Sequence, residues 1–207
     1  MLQLLYDPDG FFASRAADPS LLGPTVVVAA ATAANLVSMA VVMAKVTGSL
    51  DGTPLLRLIA SISYSVSLLI STVGVFITWV AVTAVVRFLL ARRGRTQPFR
   101  DLFKLLGWGY VPAVCSATVA AVATVLVYTQ VTFPDDPARL SAFFAARRND
   151  PAFLVSRLSF LLFSVWQGFL WFSAVENLYD VSARTAAAVV AVPTLGWILI
   201  PLIGGLV

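Results

Sequence analysis

The stretch LIASISYSVSLLISTVGVFITWVAVTAVV, Leu58 to Val86, decides the fold, because its 29 residues carry no charge and lie between Arg57 and Arg87. About 20 mostly apolar residues are enough to cross the roughly 30 Å hydrocarbon core of a bilayer. A helix over this stretch would be about 43 Å long at about 1.5 Å per residue, so we expect it to tilt or protrude. The sequence therefore predicts an integral membrane protein.

The composition of the whole chain agrees with this interpretation. Hydrophobic residues make up 59% of the chain and charged residues only 12%, whereas a soluble domain has about 25% charged residues. The sequence predicts one all-α domain over residues 1–207, with five transmembrane helices and short interfacial helices. The predicted spans are 21–44, 58–86, 105–131, 158–175 and 185–207.

The distribution of Lys and Arg between the loops predicts the orientation. With the N-terminus inside, the inner segments hold eight basic residues and the outer segments hold six. The densest cluster lies on the inner side, between Arg87 and Lys104. We therefore expect a multi-pass protein of the cell membrane, with a cytoplasmic N-terminus and the C-terminus outside.

Three short helices are expected outside the spans. Asp7 followed by Pro8 is typical of a helix start, and this helix would place Phe11 and Phe12 in the membrane interface. A second helix, beginning near Pro98, would lie at the headgroup level with its apolar residues on one face. Asp136-Pro137 and Asp150-Pro151 are two further helix starts. The third short helix is expected between them on the outer face, where a surface position is favoured over that of a lid above a cavity.

Five basic residues in and before the second of these helices are candidate contacts for lipid headgroups or a partner. Each basic residue near an anionic leaflet is worth about 1 kcal/mol of attraction. The alternative is that the cluster only sets the topology. The five residues are Arg92, Arg93, Arg95, Arg100 and Lys104.

Small residues form a stripe along the second span, at Ser67, Ser71, Gly74 and Thr78. Such residues allow helices to approach closely, so the stripe favours helix packing. The alternative is a polar lining for a substrate path near Pro112, where a proline is expected to break the third span.

The residues that most enzymes and metal sites use are scarce. The chain has no histidine, which excludes Ser-His dyads and His-based zinc sites. Cys115 lies in an apolar segment, and Glu176 and Asp180 are the only carboxylates near a span with an i, i+4 spacing. We therefore expect no catalytic, cofactor or metal site, no enzymatic activity and no nucleic-acid partner.

Four short motifs occur in order along the chain: Asp7-Pro8-Asp9-Gly10-Phe11-Phe12, Leu22-Gly23-Pro24, Gly109-Tyr110 before Pro112, and Trp171 through Leu178 and Val181-Ser182-Ala183-Arg184 to Ala186. In this order they resemble the motifs of the Ypt-interacting protein (Yip) family. The resemblance covers nearly the whole chain. It implies a structural role for Gly23, Pro24, Gly109, Tyr110 and Pro112.

The resemblance also implies a five-helix bundle with a non-enzymatic role in membrane organisation or a trafficking-like process. Eukaryotic members of the Yip family have a long cytosolic N-terminal region that is associated with Rab GTPases. Because barely 20 residues precede the first span here, a Rab-type partner is not expected. Arginine outnumbers lysine 12 to 2, which suggests a prokaryotic source.

Three functions remain open at this point. The first is a membrane scaffold or adaptor that contacts lipids, other membrane proteins or copies of itself, and it predicts a bundle that is packed shut. The second is a small-solute transporter or channel component, which predicts a cavity lined by Ser67, Ser71 and Thr78 near Pro112. The third is a membrane enzyme that uses Glu176 and Asp180.

Overall fold

The computed structural model describes residues 3–50 and 54–203, which form nine α-helices. Five helices in this described part are long and apolar enough to cross a membrane. They are α3 (Leu22–Ser49), α4 (Pro54–Ala91), α6 (Val111–Tyr128), α8 (Pro151–Tyr179) and α9 (Ala183–Ile203). The predicted all-α, multi-pass membrane fold is confirmed. Residues 204–207, the end of the fifth predicted span, lie outside the described residues.

The four remaining helices are short. They are α1 (Gln3–Tyr6), α2 (Pro8–Ala16), α5 (Phe99–Trp108) and α7 (Leu140–Arg147). A 3₁₀ turn over Pro137–Arg139 leads into α7.

The helix α2 begins as the sequence predicts, but it does not lie where expected. The side chain of Asp7 accepts the N–H of Gly10 at 2.9 Å, and Pro8 opens the helix. Phe11 and Phe12 are completely buried in the protein, so the predicted contact of their side chains with the membrane interface is wrong. The reason is that α2 packs against α8 and α5, where Phe11 meets Trp108 edge to face.

The third transmembrane helix begins at Val111, so the predicted start at Leu105 is wrong. Leu105 belongs to α5, and the chain turns tightly between the two helices, with the N–H of Tyr110 donated to the carbonyl of Gly107 at 3.2 Å. Pro112 has no N–H to continue α5, but it fits the first turn of a new helix. The apolar residues from 105 to 110 therefore form protein core instead of spanning the bilayer.

The helix α8 begins at the predicted Asp150–Pro151 start, several residues before the predicted fourth span, 158–175. Asp150 caps it by accepting the N–H of Ala152 at 2.9 Å, and Pro151 is the first helical residue. Arg157 is consequently inside the helix and not at its border, and its guanidinium donates to the carbonyl of Arg148 at 2.8 Å. A long arginine side chain can keep its charge at the interface while its stem lies along apolar surface.

The bundle is built from α3, α6, α8 and α9, each packed along the next, with α5 inserted at one end between α3, α4 and α8. The buried residues of α4 all lie between Trp79 and Leu90, in its C-terminal part. From Pro54 to Ile70 every residue of α4 is exposed or half-buried. One half of a transmembrane helix therefore has an uncovered flank.

Candidate functional site

Two tryptophans from different transmembrane helices hold α5 in place. The indole N–H of Trp79 in α4 donates to the carbonyl of Phe103 at 2.8 Å, and that of Trp171 in α8 donates to the carbonyl of Leu106 at 3.0 Å. The ring of Trp79 also stacks on Phe103, with 3.8 Å between the centroids. Indole rings that are buried are stabilised when their N–H finds such a partner.

Glycines beside these rings permit the close approach. A Cβ added at Gly109 would overlap the indole of Trp171, and one at Gly107 would overlap Trp79 and crowd Pro24. At Gly23 an added Cβ would overlap Trp108. The helix α5 therefore packs through glycine backbone against aromatic rings.

Tyr110 and Pro112 complete this region, and both are buried. Tyr110 lies between Trp171 and Trp197, with 6.1 Å to each ring centroid. No residue in the described part of the chain hydrogen-bonds its hydroxyl. Burial raises the pKa of the Tyr110 phenol, so the group stays neutral.

The basic residues of the α4–α5 region divide into two groups. Arg92, Arg93, Arg95 and Arg100 are exposed. Lys104 is only 8% exposed and lies 3.7 Å from a carboxylate oxygen of Asp101. The apolar face of α5 is buried against its helical neighbours, whereas the four arginines are accessible, and we call these four residues the basic face.

An open groove of about 470 Å³ separates α4 from α3 and α6. Ser63, Tyr64 and Ser67 line it from α4, opposite Ser38 of α3. At Gly74, the glycine of the small-residue stripe, an added Cβ would have nothing within 4 Å. The predicted close helix contact is therefore not made at Gly74 by the described residues of the chain.

Hydroxyl groups of α4 are bonded to their own helix. Ser67 donates to the carbonyl of Ser63 at 2.8 Å, and Thr78 donates to the carbonyl of Gly74 at 2.7 Å. Ser61 and Ser65 make bonds of the same kind, to the carbonyls of Arg57 and Ser61. These bonds let the hydroxyls stand in hydrocarbon without an unsatisfied donor.

A larger cavity, of about 800 Å³, lies between α6 and α8. Alanines of α6 form one side, namely Ala113, Ala117 and Ala120, while Phe144 of α7 and Asn35 of α3 close two others. The side contributed by α8 follows one helical face: Phe153, Ser156, Arg157, Phe160, Phe163, Ser164 and Gln167. A cavity of this size is within the range of small-molecule sites.

Polar groups lie toward the two ends of this cavity. Arg148 and Arg157 line it near the start of α8, beside the α6–α8 connection. Gln167 lies further along α8 and is only 1% exposed. Among the described residues none accepts a hydrogen bond from its Nε2. A buried amide without a partner costs free energy, so we expect an acceptor for this group inside the cavity.

The cavity corrects two predictions. A bundle packed shut is wrong, because this half-open cavity lies between α6 and α8. The lining predicted for a transport path is also wrong: Ser67 lines only the separate α3–α4 groove, and neither Ser71 nor Thr78 lines either space. The helix α7, expected only on the surface, does cover part of the cavity through Phe144 and Ala145.

The carboxylates considered for an enzyme lie away from this cavity. Glu176 is half-buried near the end of α8, and Asp180 is exposed just beyond it in a left-handed conformation, with φ of 47°. Over residues 3–50 and 54–203, no three His, Cys, Asp or Glu residues come together as a potential metal site. Cys115 is half-buried in α6.

A comparison with family models places these features in a known group. The model described as the Yip1 domain matches residues 2–205. The chain belongs to the Yip1 domain family. No curated protein and no solved structure matches it. The motif residues of this Yip1 domain, at positions 23, 24, 109, 110 and 112, lie in or beside the contacts that hold α5.

Two features of the Yip1 domain were not found by sequence reasoning. The carbonyl partners of Trp79 and Trp171 lie 24 and 65 residues away along the chain, and no local pattern indicates them. Gln167 did leave a signal, because it is a lone amide in an uncharged span. Because an amide is not ionisable, an inspection of the spans for charged residues alone does not find Gln167.

Proposed function

We propose that this Yip1-domain protein is a non-enzymatic membrane scaffold whose uncovered α4 flank receives a transmembrane helix from a second copy. The observation that carries the proposal is the open half of α4, which presents small residues and a groove instead of packing on its own bundle. Interfaces between transmembrane helices are rich in small residues because these let backbones approach closely. In a symmetric pair the same flank serves both copies.

Cross-linking in native membranes tests this proposal. In a Cys115→Ala background, Ser67→Cys places a thiol in the groove, and Leu69→Cys places one on another side of the same helix, where Leu69 is 64% exposed. Mild oxidation is expected to give a disulfide-linked dimer with Ser67→Cys and much less with Leu69→Cys. Equal yields from the two variants would count against a defined contact at this flank.

The proposal extends to the basic face and to the placement of the protein. The four exposed arginines of the basic face contact anionic headgroups. The protein lies in the cell membrane, with its N-terminus in the cytoplasm and its C-terminus outside. Added phosphatidylglycerol is expected to raise the melting temperature more than phosphatidylcholine does. Replacing Arg92, Arg93 and Arg95 by glutamine should reduce this difference, as should high salt.

A solute transporter is the second candidate, and the cavity between α6 and α8 is the observation that favours it. Transporters place substrate sites at the membrane interior, often beside interrupted helices. Ala113, which lines the cavity, follows the proline that opens α6. Proteoliposome flux measurements over a panel of small solutes test this function, and uniformly flat traces would contradict it.

A further inference from the structure

We propose that the cavity between α6 and α8 binds one anionic phospholipid, with its phosphate at Arg148 and Arg157 and an acyl chain along α8. The lipid comes from the leaflet on the side of the α6–α8 connection. The inference rests on the shape of the cavity, the charge at its mouth and the chemistry of its walls. It does not depend on the scaffold function.

The length of the apolar section matches one leaflet. Phenylalanines at positions 153, 160 and 163 line the same face of α8. At about 1.5 Å per residue, the section from Phe153 to Phe163 is about 15 Å long. One leaflet contributes about 15 Å, half of the roughly 30 Å hydrocarbon core. An acyl chain that enters at the mouth therefore extends along this whole section.

The walls suit an acyl chain because one side is small and the other is aromatic. Ala113, Ala117 and Ala120 repeat along α6 and leave the space that the phenylalanines of α8 border. Larger side chains at these alanine positions would close the cavity. Its volume of about 800 Å³ is sufficient for a single ligand of lipid-chain size.

Two arginines line the mouth of the cavity. Arg148 and Arg157 are the only charged residues that line the cavity in the described part of the chain. The Arg157 guanidinium donates to the carbonyl of Arg148, which brings the two residues together. Guanidinium groups bind phosphate with parallel hydrogen bonds and tolerate a partly desolvated position better than lysine does. An anionic headgroup complements this charge, whereas a zwitterionic one does so less well.

The far end of the cavity is polar and marks where the acyl chain stops. Ser164 and Gln167 are both nearly fully buried there. An acyl chain offers no acceptor to the Nε2 of Gln167, so a water molecule between the chain end and this amide would satisfy it. The chain therefore occupies the apolar section and leaves the last polar turn of α8 hydrated.

Quenching of tryptophan fluorescence by brominated lipids tests the proposal, because Trp197 of α9 lines the cavity. The full-length protein is reconstituted in phosphatidylcholine with a small fraction of phosphatidylglycerol, and the acyl chains of one lipid at a time are brominated. The difference between wild type and Trp197→Phe isolates the contribution of Trp197. We expect brominated phosphatidylglycerol to quench it at a concentration roughly tenfold lower than brominated phosphatidylcholine.

Two sets of variants separate the cavity from ordinary lipid contact. Arg148→Gln combined with Arg157→Gln should abolish the preference for phosphatidylglycerol, whereas Arg139→Gln, an exposed residue paired with Asp136 outside the cavity, should retain it. Ala120→Leu should fill the cavity and lower the quenching by both lipids. Val122→Leu, at an exposed position of the same helix, should leave it unchanged.

Three outcomes would overturn the proposal. One is equal quenching by the two brominated lipids, which indicates only the lipid that surrounds any membrane protein. The second is a phosphatidylglycerol preference that survives in the double arginine variant. The third is that neither brominated lipid quenches Trp197 although the variants have the melting temperature of the wild type. That result indicates a cavity filled with water or solute.

Discussion

The indole of Trp171 occupies the space that a Cβ of Gly109 would fill, and from there its N–H reaches the carbonyl of Leu106 at 3.0 Å. One residue is a family-motif glycine next to α6 and the other lies in the C-terminal half of α8. Their contact joins the short helix α5 to the transmembrane bundle. Positions that look like simple turn residues in the sequence are therefore packing surfaces for a distant ring.

Gly109→Ala is expected to lower the free energy of unfolding by about 1–3 kcal/mol, because the ring of Trp171 must shift to admit the methyl group. Unfolding in mild detergent, followed by circular dichroism, measures the change. Gly74→Ala is the matched control, since its Cβ would meet nothing within 4 Å. In the control a glycine inside a helix becomes alanine, so the free energy of unfolding should equal that of the wild type or rise by about 0.5–1 kcal/mol. Equal losses in both variants would contradict the assigned contact.

Trp171→Phe and Trp79→Phe should each cost about 1–3 kcal/mol, since each removes a hydrogen bond to α5 and leaves unfilled volume. The loss should be localised. Hydrogen exchange of the α5 amides is expected to accelerate more than exchange in α8 or α9. Trp166→Phe, a half-buried tryptophan of α8, serves as the control. If α5 exchanges at the wild-type rate in both variants, the two indoles do not anchor it.

The start of α2 gives a third prediction. Asp7→Ala removes the side chain that caps the N–H of Gly10, at a cost of about 0.5–2 kcal/mol. The resulting fraying of α2 should expose the bond after Arg15 to trypsin, and cleavage there should become faster. Asp18→Ala, at an exposed position after the helix, should leave the cleavage rate unchanged. Resistance of the Asp7 variant would show that the packing of Phe11 and Phe12 is sufficient without the cap.

The orientation gives a fourth prediction. A C-terminal reporter that is active only outside the cell should be active in the wild type. Replacing Arg92, Arg93 and Arg95 by glutamine lowers the inner count of basic residues from eight to five, against six outside, so a mixed or inverted population is expected. Arg139→Gln combined with Arg147→Gln lowers the outer count instead and should keep the wild-type signal. A wild-type reporter that is active only in the cytoplasm would reverse the assignment.

The sequence was sufficient for the parts of the fold that depend on local chemistry. Uncharged runs predicted five membrane-crossing helices, and Asp–Pro pairs predicted the starts of α2 and α8. The sequence was misleading where an apolar segment could face either lipid or the protein core. Phe11, Phe12 and Leu105 are as apolar as lipid-facing residues, yet tertiary packing buries them in protein.

The candidate site was less predictable for the same reason. The cavity between α6 and α8 exists because alanines on one helix face phenylalanines on another, and which faces meet depends on contacts far apart in sequence. The residues of α8 that line the cavity, from Phe153 to Gln167, recur at helical spacing. Nothing in that spacing indicates which helix they face.

The hydroxyls on α4 affect the lifetime of a complex that two copies form through this helix. The hydroxyls of Ser67 and Thr78 already donate hydrogen bonds to carbonyls of their own helix. A neighbouring helix that accepts these protons exchanges one bond for another of similar strength, so polar contacts add little to the binding free energy. Adhesion then depends on the fit of the two backbones alone, and the pairs should dissociate and exchange subunits readily instead of persisting as permanent oligomers.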